Sequence, residues 1–240
     1  MKHFIYILLL PILCLMSCQS EEVTSQNAKG MLDLTLQRGP VPAVSTRAVA
    51  EGLAVTLLNP DGTVYKEYSA GNVPSKIELT ADVEYTLRVY SPNQSTWQTA
   101  NDGKGEACYF GETTVTVGED EIVYVTYSVP MANYAVTLTL PELFNDLFKS
   151  YTFSLSSGGR NVTLQEGEKA YFAVPDAFSY KLAATNNDDK TSQHSAIEYP
   201  DVEAGKLYNI KYVYGTSLNA GGVDIEITDN TEHEDVDVKV

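Results

Sequence analysis

Apolar residues in this chain recur at every second position, in short runs broken by turn residues. That period constrains the fold more than any other feature. Leu32, Leu34 and Leu36 alternate with Asp33 and Thr35, and Ile77 and Leu79 flank Glu78. Tyr85, Leu87 and Val89 alternate with Glu84, Thr86 and Arg88. Successive side chains on a strand point to opposite faces, so each run buries one face and wets the other. Residues 53–58 run into Asn59-Pro60-Asp61-Gly62, a turn signal, and Thr63-Val64-Tyr65 starts a return strand. Val115 and Val117 precede a Gly118-Glu119-Asp120 turn, residues 122–129 are rich in Val, Tyr and Thr, and Pro130 punctuates the chain.

The second half has the same style. Tyr134, Val136, Leu138 and Leu140 lead to Pro141, and residues 142–148 are the one helix-like stretch, of about two turns. Short strands are expected over 151–155, 162–164, 171–174 and 180–183, with Gly-rich turns between them. Leu207, Ile210, Tyr212 and Tyr214 end in Gly215, and Val223, Ile225 and Ile227 alternate with Asp224, Glu226 and Thr228. A turn at Asp229-Asn230-Thr231 precedes the closing alternation of Val236, Val238 and Val240 with Asp237 and Lys239. An internal echo pairs Asp82-Val83-Glu84-Tyr85-Thr86-Leu87 with Asp176-Ala177-Phe178-Ser179-Tyr180-Lys181-Leu182. Short strands without helical crossovers predict an all-β chain of two tandem Ig-like antiparallel β-sandwich domains, residues 30–130 and 131–240, joined near residues 130–133. A single larger sandwich is the alternative.

The N-terminus reads as an export signal. Lys2 and His3 form a short basic region, and residues 4–16 an apolar stretch of signal-peptide length, too short to span a bilayer comfortably. Leu15-Met16-Ser17-Cys18 then resembles the bacterial lipoprotein lipobox, although Met16 stands where a small or branched residue is usual. Residues 1–17 are accordingly assigned to a signal peptide, Cys18 to lipidation, and residues 18–29 to a lipidated tether. An ordinary secretory signal with an incidental Cys is the alternative. Two or more acyl chains give a lasting membrane anchor where one is marginal. The acidic run Gln19-Ser20-Glu21-Glu22 resembles the surface-export signal of Bacteroidota lipoproteins, which places the protein in the cell outer membrane facing the exterior. A solvated spacer is the bland reading of the same residues.

Charge and cysteine content narrow the partners. The formal net charge is −16, and loss of residues 1–17 removes Lys2 and no acid, which moves it to −17. That balance argues against nucleic acid and anionic lipid surfaces, both of which need a basic face. With Cys14 in the signal and Cys18 lipidated, Cys108 is left alone, so the folded part has no internal disulfide and holds by its cores. Cys108, beside Ala107, Tyr109 and Phe110, is expected to be a buried small hydrophobe.

No pattern points to catalysis, to a metal or to a cofactor. His194 and His233 lack metal-spaced partners, there is no Gly-x-Ser-x-Gly elbow, and Gly158-Gly159 and Gly221-Gly222 read as turns, not phosphate loops. Asn186-Asn187-Asp188-Asp189 and the acidic tail from Asp229 could offer oxygen ligands to Ca²⁺, but neither follows EF-hand spacing, and solvated acidic loops account for them. The contact candidates are aromatic. Residues 91–107 form a long polar insertion carrying the sole Trp, Trp97, ahead of Tyr109 and Phe110. Trp97, Tyr109 and Phe110 could meet a sugar ring or a protein partner. Alternatively, Trp97 folds back over its own sandwich.

Tyr85-Thr86-Leu87-Arg88-Val89-Tyr90-Ser91, then Trp97, then Tyr109-Phe110-Gly111, resembles the DUF4493 family of Bacteroides lipoproteins. The Asn59-Pro60-Asp61-Gly62 turn and Thr46-Arg47-Ala48 are also similar to that group and to fimbrillin-like lipoproteins more widely. Val89 stands where the family often has Ala, and Cys108-Tyr109-Phe110 where it often has Pro and Tyr. The resemblance implies fimbrillin-like tandem sandwiches on the cell surface, with kinship to fimbrial subunits and adhesins. The expected role is a structural or adhesive one, as a fimbria-like anchor, tip or accessory subunit meeting a fimbrial or host surface protein. The alternative is a glycan-binding lipoprotein of a polysaccharide-uptake system.

Overall fold

The computed structural model describes residues 28–39, 52–214 and 223–230, the last of these as backbone. Cys18, the tether before residue 28, Thr46-Arg47-Ala48 and the closing Val236, Val238 and Val240 lie outside the described residues. The first half contains β1 (Lys29–Arg38), β2 (Ala54–Leu58), β3 (Val64–Tyr68), β4 (Lys76–Thr80), β5 (Tyr85–Tyr90), β6 (Phe110–Val115) and β7 (Ile122–Val129). The second contains β8 (Tyr134–Thr139), α1 (Phe144–Leu147), β9 (Phe148–Ser157), β10 (Arg160–Leu164), β11 (Lys169–Phe172), β12 (Phe178–Asn186), β13 (Thr191–Gln193), β14 (Ile197–Tyr199), β15 (Leu207–Tyr214) and β16 (Val223–Asn230). The chain is all-β.

The same strand order occurs twice. In the first half β4-β1-β7 faces β3-β2-β5-β6; in the second, β11-β8-β15-β16 faces β10-β9-β12, which β13 and β14 extend. Most pairs are antiparallel hairpins or their neighbours. The exception is the same in each half, where the first strand lies parallel to a late one. Met31–Arg38 runs alongside Ile122–Val129, and Leu207–Lys211 alongside Ala135–Thr139. Alternation cannot reveal this, because a period of two is the same for either strand direction. The echo around Tyr85 and Tyr180 falls on β5 and β12, which occupy corresponding places in the two orders.

The predicted register holds in detail. Tyr85, Leu87 and Val89 are buried while Thr86, Arg88 and Tyr90 are half-exposed. Asn59-Pro60-Asp61-Gly62 makes the β2–β3 hairpin, with Gly62 at φ +81°. There the Asp61 carboxylate accepts the Thr63 hydroxyl at 2.6 Å and the Thr63 N–H at 2.9 Å, bonds that hold its pKa below the usual carboxylate value. Two expectations change. The helix is one turn, because Leu143 adopts φ +60° before it and Phe148 already has extended backbone and opens β9. Asp229 and Asn230 are not in a turn but pair with Tyr208 and Leu207 as the end of β16.

Each half closes over its own apolar cluster. One draws Leu32, Leu34, Ile77 and Leu79 from one sheet and Val55, Leu57, Tyr85 and Leu87 from the other. The second is aromatic: Tyr134, Phe153, Phe172, Phe178, Tyr180, Tyr208 and Tyr212 pack with Leu and Val from both sheets. Its hydroxyls are satisfied from within. Tyr134 donates to the Asp176 carbonyl at 2.8 Å, and Tyr212 pairs with His194 Nε2 at 2.8 Å. Nε2 also accepts the Leu182 N–H at 3.0 Å, so the His194 ring proton sits on Nδ1 and points at the Ser195 carbonyl, 2.6 Å away. His194 is thereby a structural residue.

Burial raises the Tyr134 pKa to about 12, although the Ser157 hydroxyl works in the opposite direction, and burial also raises Tyr180 and Tyr212 above the ordinary value. An acid held neutral in the fold stabilises it below its unfolded pKa of about 10, and that stability is lost as pH rises through the folded value. Melting followed from pH 8 to 12 should therefore stay level to about pH 10 and fall steeply above it. A midpoint unchanged up to pH 12 would contradict the burial of these phenols.

Candidate functional site

The outward face of β3-β2-β5-β6 carries a shallow contact surface. Strand register dictates what it presents, since the neighbours of an inward residue along its strand must face out, and residues paired across strands share a face. One row runs Glu67, Thr56, Arg88, Glu112, and the next pairs Ala54, Tyr90 and Phe110. Between them lies a shallow depression of about 360 Å³ lined by Thr56, Leu58, Glu67, Arg88, Tyr90 and Phe110. Arg88 Nε meets Glu112 Oε1 at 2.5 Å, and the Tyr90 hydroxyl donates to Glu67 at 3.3 Å. Phe110 is 41% exposed and Val64 on the rim 59%. The face holds two aromatic edges beside a row of opposite charges, with no nucleophile or activated base.

Of the predicted contact residues, only Phe110 is on that face. Tyr109 points inward, 4% exposed, bridged to Met131 and with the Arg38 guanidinium 5.4 Å over its ring. Neighbours on a strand face opposite ways, so Tyr109 and Phe110 cannot both meet one ligand. Trp97 is 8% exposed and begins a 3-10 turn (Trp97–Thr99). It belongs to neither apolar cluster. Its ring lies against Arg160, whose guanidinium carbon is 5.8 Å from the ring centre and which comes from β10 of the second half.

The 91–107 insertion is ordered by its own polar groups. The Ser91 hydroxyl accepts the Tyr109 N–H at 2.9 Å, Asn93 Nδ2 donates to Glu106 and to the Ala107 carbonyl, and the Glu106 N–H returns to the Trp97 carbonyl at 3.0 Å. Asn133, buried in the joint, accepts the Cys108 N–H at 3.1 Å and donates to the Glu106 carbonyl at 2.9 Å. Cys108 is buried as expected, and burial pushes its thiol pKa up, with the Ser91 hydroxyl pulling the other way. The Asn186–Asp189 loop is closed internally: the Asn186 side-chain oxygen accepts the Asp188 and Lys190 N–H groups, and Asp189 pairs with Lys149. Among the described residues no cluster of His, Cys, Asp and Glu could hold a metal ion. Sequence reasoning missed Arg160 and Tyr171 of the second half and Lys104 of the insertion, which reaches them from the first. The one local signal was Tyr171-Phe172, adjacent large apolar residues where strict alternation would place one.

The family model DUF4493, described as a domain of unknown function, matches residues 12–240. The chain belongs to the DUF4493 family. Among solved structures it is similar to the tip fimbrial protein Mfa3 from Porphyromonas gingivalis, crystallised with a C-terminal truncation. The TM-score is 0.51 at 9% identity, over 84% of this chain and 99% of that one. A fimbrial assembly protein from Parabacteroides distasonis gives 0.47 at 15% identity, over 84% and 98%. The fimbrial anchor protein Mfa2 from Porphyromonas gingivalis gives 0.38 at 13%, over 85% and 98%. No curated protein matches this sequence. At such identities the DUF4493 chain shares a fold with the tip protein, and that fold is fimbrillin-like.

Proposed function

We propose that this DUF4493 protein is a lipid-anchored, surface-exposed structural or adhesive component of a fimbria-like assembly, built as two sandwich domains over residues 30–130 and 131–240. The observation that carries the reading is a fold shared with a fimbrial tip protein over 99% of its C-terminally truncated chain. The lipobox-like Leu15-Met16-Ser17-Cys18 and the acidic residues after it support placement outside the cell. The twice-repeated strand order and the two apolar clusters support the division into domains. Among the described residues no helix is long and apolar enough to cross a membrane. A protein–protein contact, with a fimbrial or host surface partner, suits the Phe110 face. A glycan contact is the second reading, favoured by the Tyr90 and Phe110 edges beside Arg88, Glu67 and Glu112.

Replacing Cys18 by Ala tests the anchor and the role together. The expected result is a protein absent from the outer-membrane fraction, and cells whose surface assemblies lack it. Continued fractionation with the outer membrane would overturn lipid anchoring. Assemblies of normal length and adhesion would overturn the fimbrial role, and saccharide binding abolished by Phe110→Ala would favour the glycan reading.

A further inference from the structure

We infer that the 91–107 insertion is a strut that locks the two halves into one rigid body and closes the free edge of β11, with Arg160 as its keystone. The inference rests on the two-domain reading. Domains joined by a short linker move relative to one another unless further contacts prevent it, and here such contacts converge on one place.

Arg160 reaches out of β10 and lies between two rings, 5.8 Å from the centre of Trp97 on the insertion and 5.1 Å from that of Phe172 in the second core. Its two terminal nitrogens donate to the Tyr171 carbonyl at 2.7 Å and to the Gly103 carbonyl, so one planar group bonds both halves. Lys104, one residue on, pairs with Glu168 at 2.7 Å. The Lys104 carbonyl accepts the Tyr171 N–H at 2.7 Å. Tyr171 and Phe172 then split between the cores: Phe172 belongs to the second, and Tyr171 packs against the first.

Among the described residues β11 is an edge strand, paired only with β8. An open edge offers its outward N–H and C=O groups to any passing strand. At Tyr171 both are taken, the N–H by Lys104 and the C=O by Arg160, so the insertion occupies the place an added strand would need. Gly105 allows the close approach. It sits at φ +82°, and a Cβ there would lie 3.2 Å from the Trp97 and Tyr171 carbonyl oxygens. The strut thus makes the chain a stiff unit and directs any strand-mediated assembly to other edges.

Electron–electron distance measurement on the mature full-length chain tests this, with spin labels at Glu119→Cys in the first half and Asp188→Cys in the second. The expected result is one narrow distribution in the parent, broadened roughly twofold or more in Arg160→Gln and in Gly105→Ala as linker freedom returns. Lys104→Met is the milder variant should either of those fail to fold, and it should broaden the distribution less. Each half should keep its own melting transition in the broadened variants. A broad distribution in the parent, or a narrow one in all three variants with two transitions retained, overturns the strut. A single transition that merely shifts, with the distribution narrow throughout, overturns the two-domain reading beneath it.

Discussion

Phe178→Ala is expected to cost about 3–5 kcal/mol of unfolding free energy, the largest effect of any single truncation proposed for this protein. Phe178 is fully buried at the start of β12. Its ring stacks on Tyr199 at 5.3 Å and lies 5.7–5.9 Å from the rings of Tyr208 and Tyr134. Truncation loses the transfer free energy of the side chain, the aromatic contacts and the packing around the cavity. It also frees Tyr134 and Tyr208, whose hydroxyls are tied to the Asp176 carbonyl and the Glu203 N–H. Urea titration should show a lower midpoint at unchanged slope, since the surface exposed on unfolding is nearly the same. A loss below about 1 kcal/mol would mean that the site collapses around the cavity or that Phe178 is not in the core.

Leu87→Ala is expected to cost about 2–5 kcal/mol. Leu87 is fully buried at the centre of β5, opposite Leu57 on β2 and Thr113 on β6. β5 has a hydrogen-bonded neighbour on each side, so its backbone cannot shift to fill the space without breaking both ladders. A one-residue slip would turn Leu87 to solvent and bring Thr86 and Arg88 inward. A measured loss under about 0.5 kcal/mol would indicate that slip. The two residues belong to separate clusters, so the costs in the double variant should add to within about 0.5 kcal/mol.

What was legible in the sequence was whatever depends on neighbours along the chain. The alternation in Tyr85, Leu87 and Val89 identified the strand and its buried face, because side-chain direction is settled by position parity. The Asn59–Gly62 turn was legible because its bonds close within four residues: Asn59 and Gly62 bond each other, and Asp61 holds Thr63. Burial of Cys108 followed from its apolar neighbours. The one-turn helix was harder, because its length depends on Leu143 at positive φ, a conformation that side-chain type does not announce.

The contact residues show where local reasoning ends. Trp97, Tyr109 and Phe110 share a sequence neighbourhood and an aromatic character, yet the fold sends them to three places: the joint, the core and the outer face. Parity alone separates Tyr109 from Phe110, but which of them faces the core depends on the opposing sheet; Tyr109 turns into the first cluster together with Met131, to which its backbone is bridged. Arg160 is 63 positions from Trp97 in the chain, a separation at which no local pattern relates them. Composition, strand period, turn chemistry and the family resemblance were thus properties of the sequence itself, since each rests on local stereochemistry or on runs of residue types. Strand direction in the β1–β7 and β8–β15 pairs, the burial of Trp97 and the closing of the β11 edge were decided only in three dimensions, because each depends on groups brought together by the packing of distant strands.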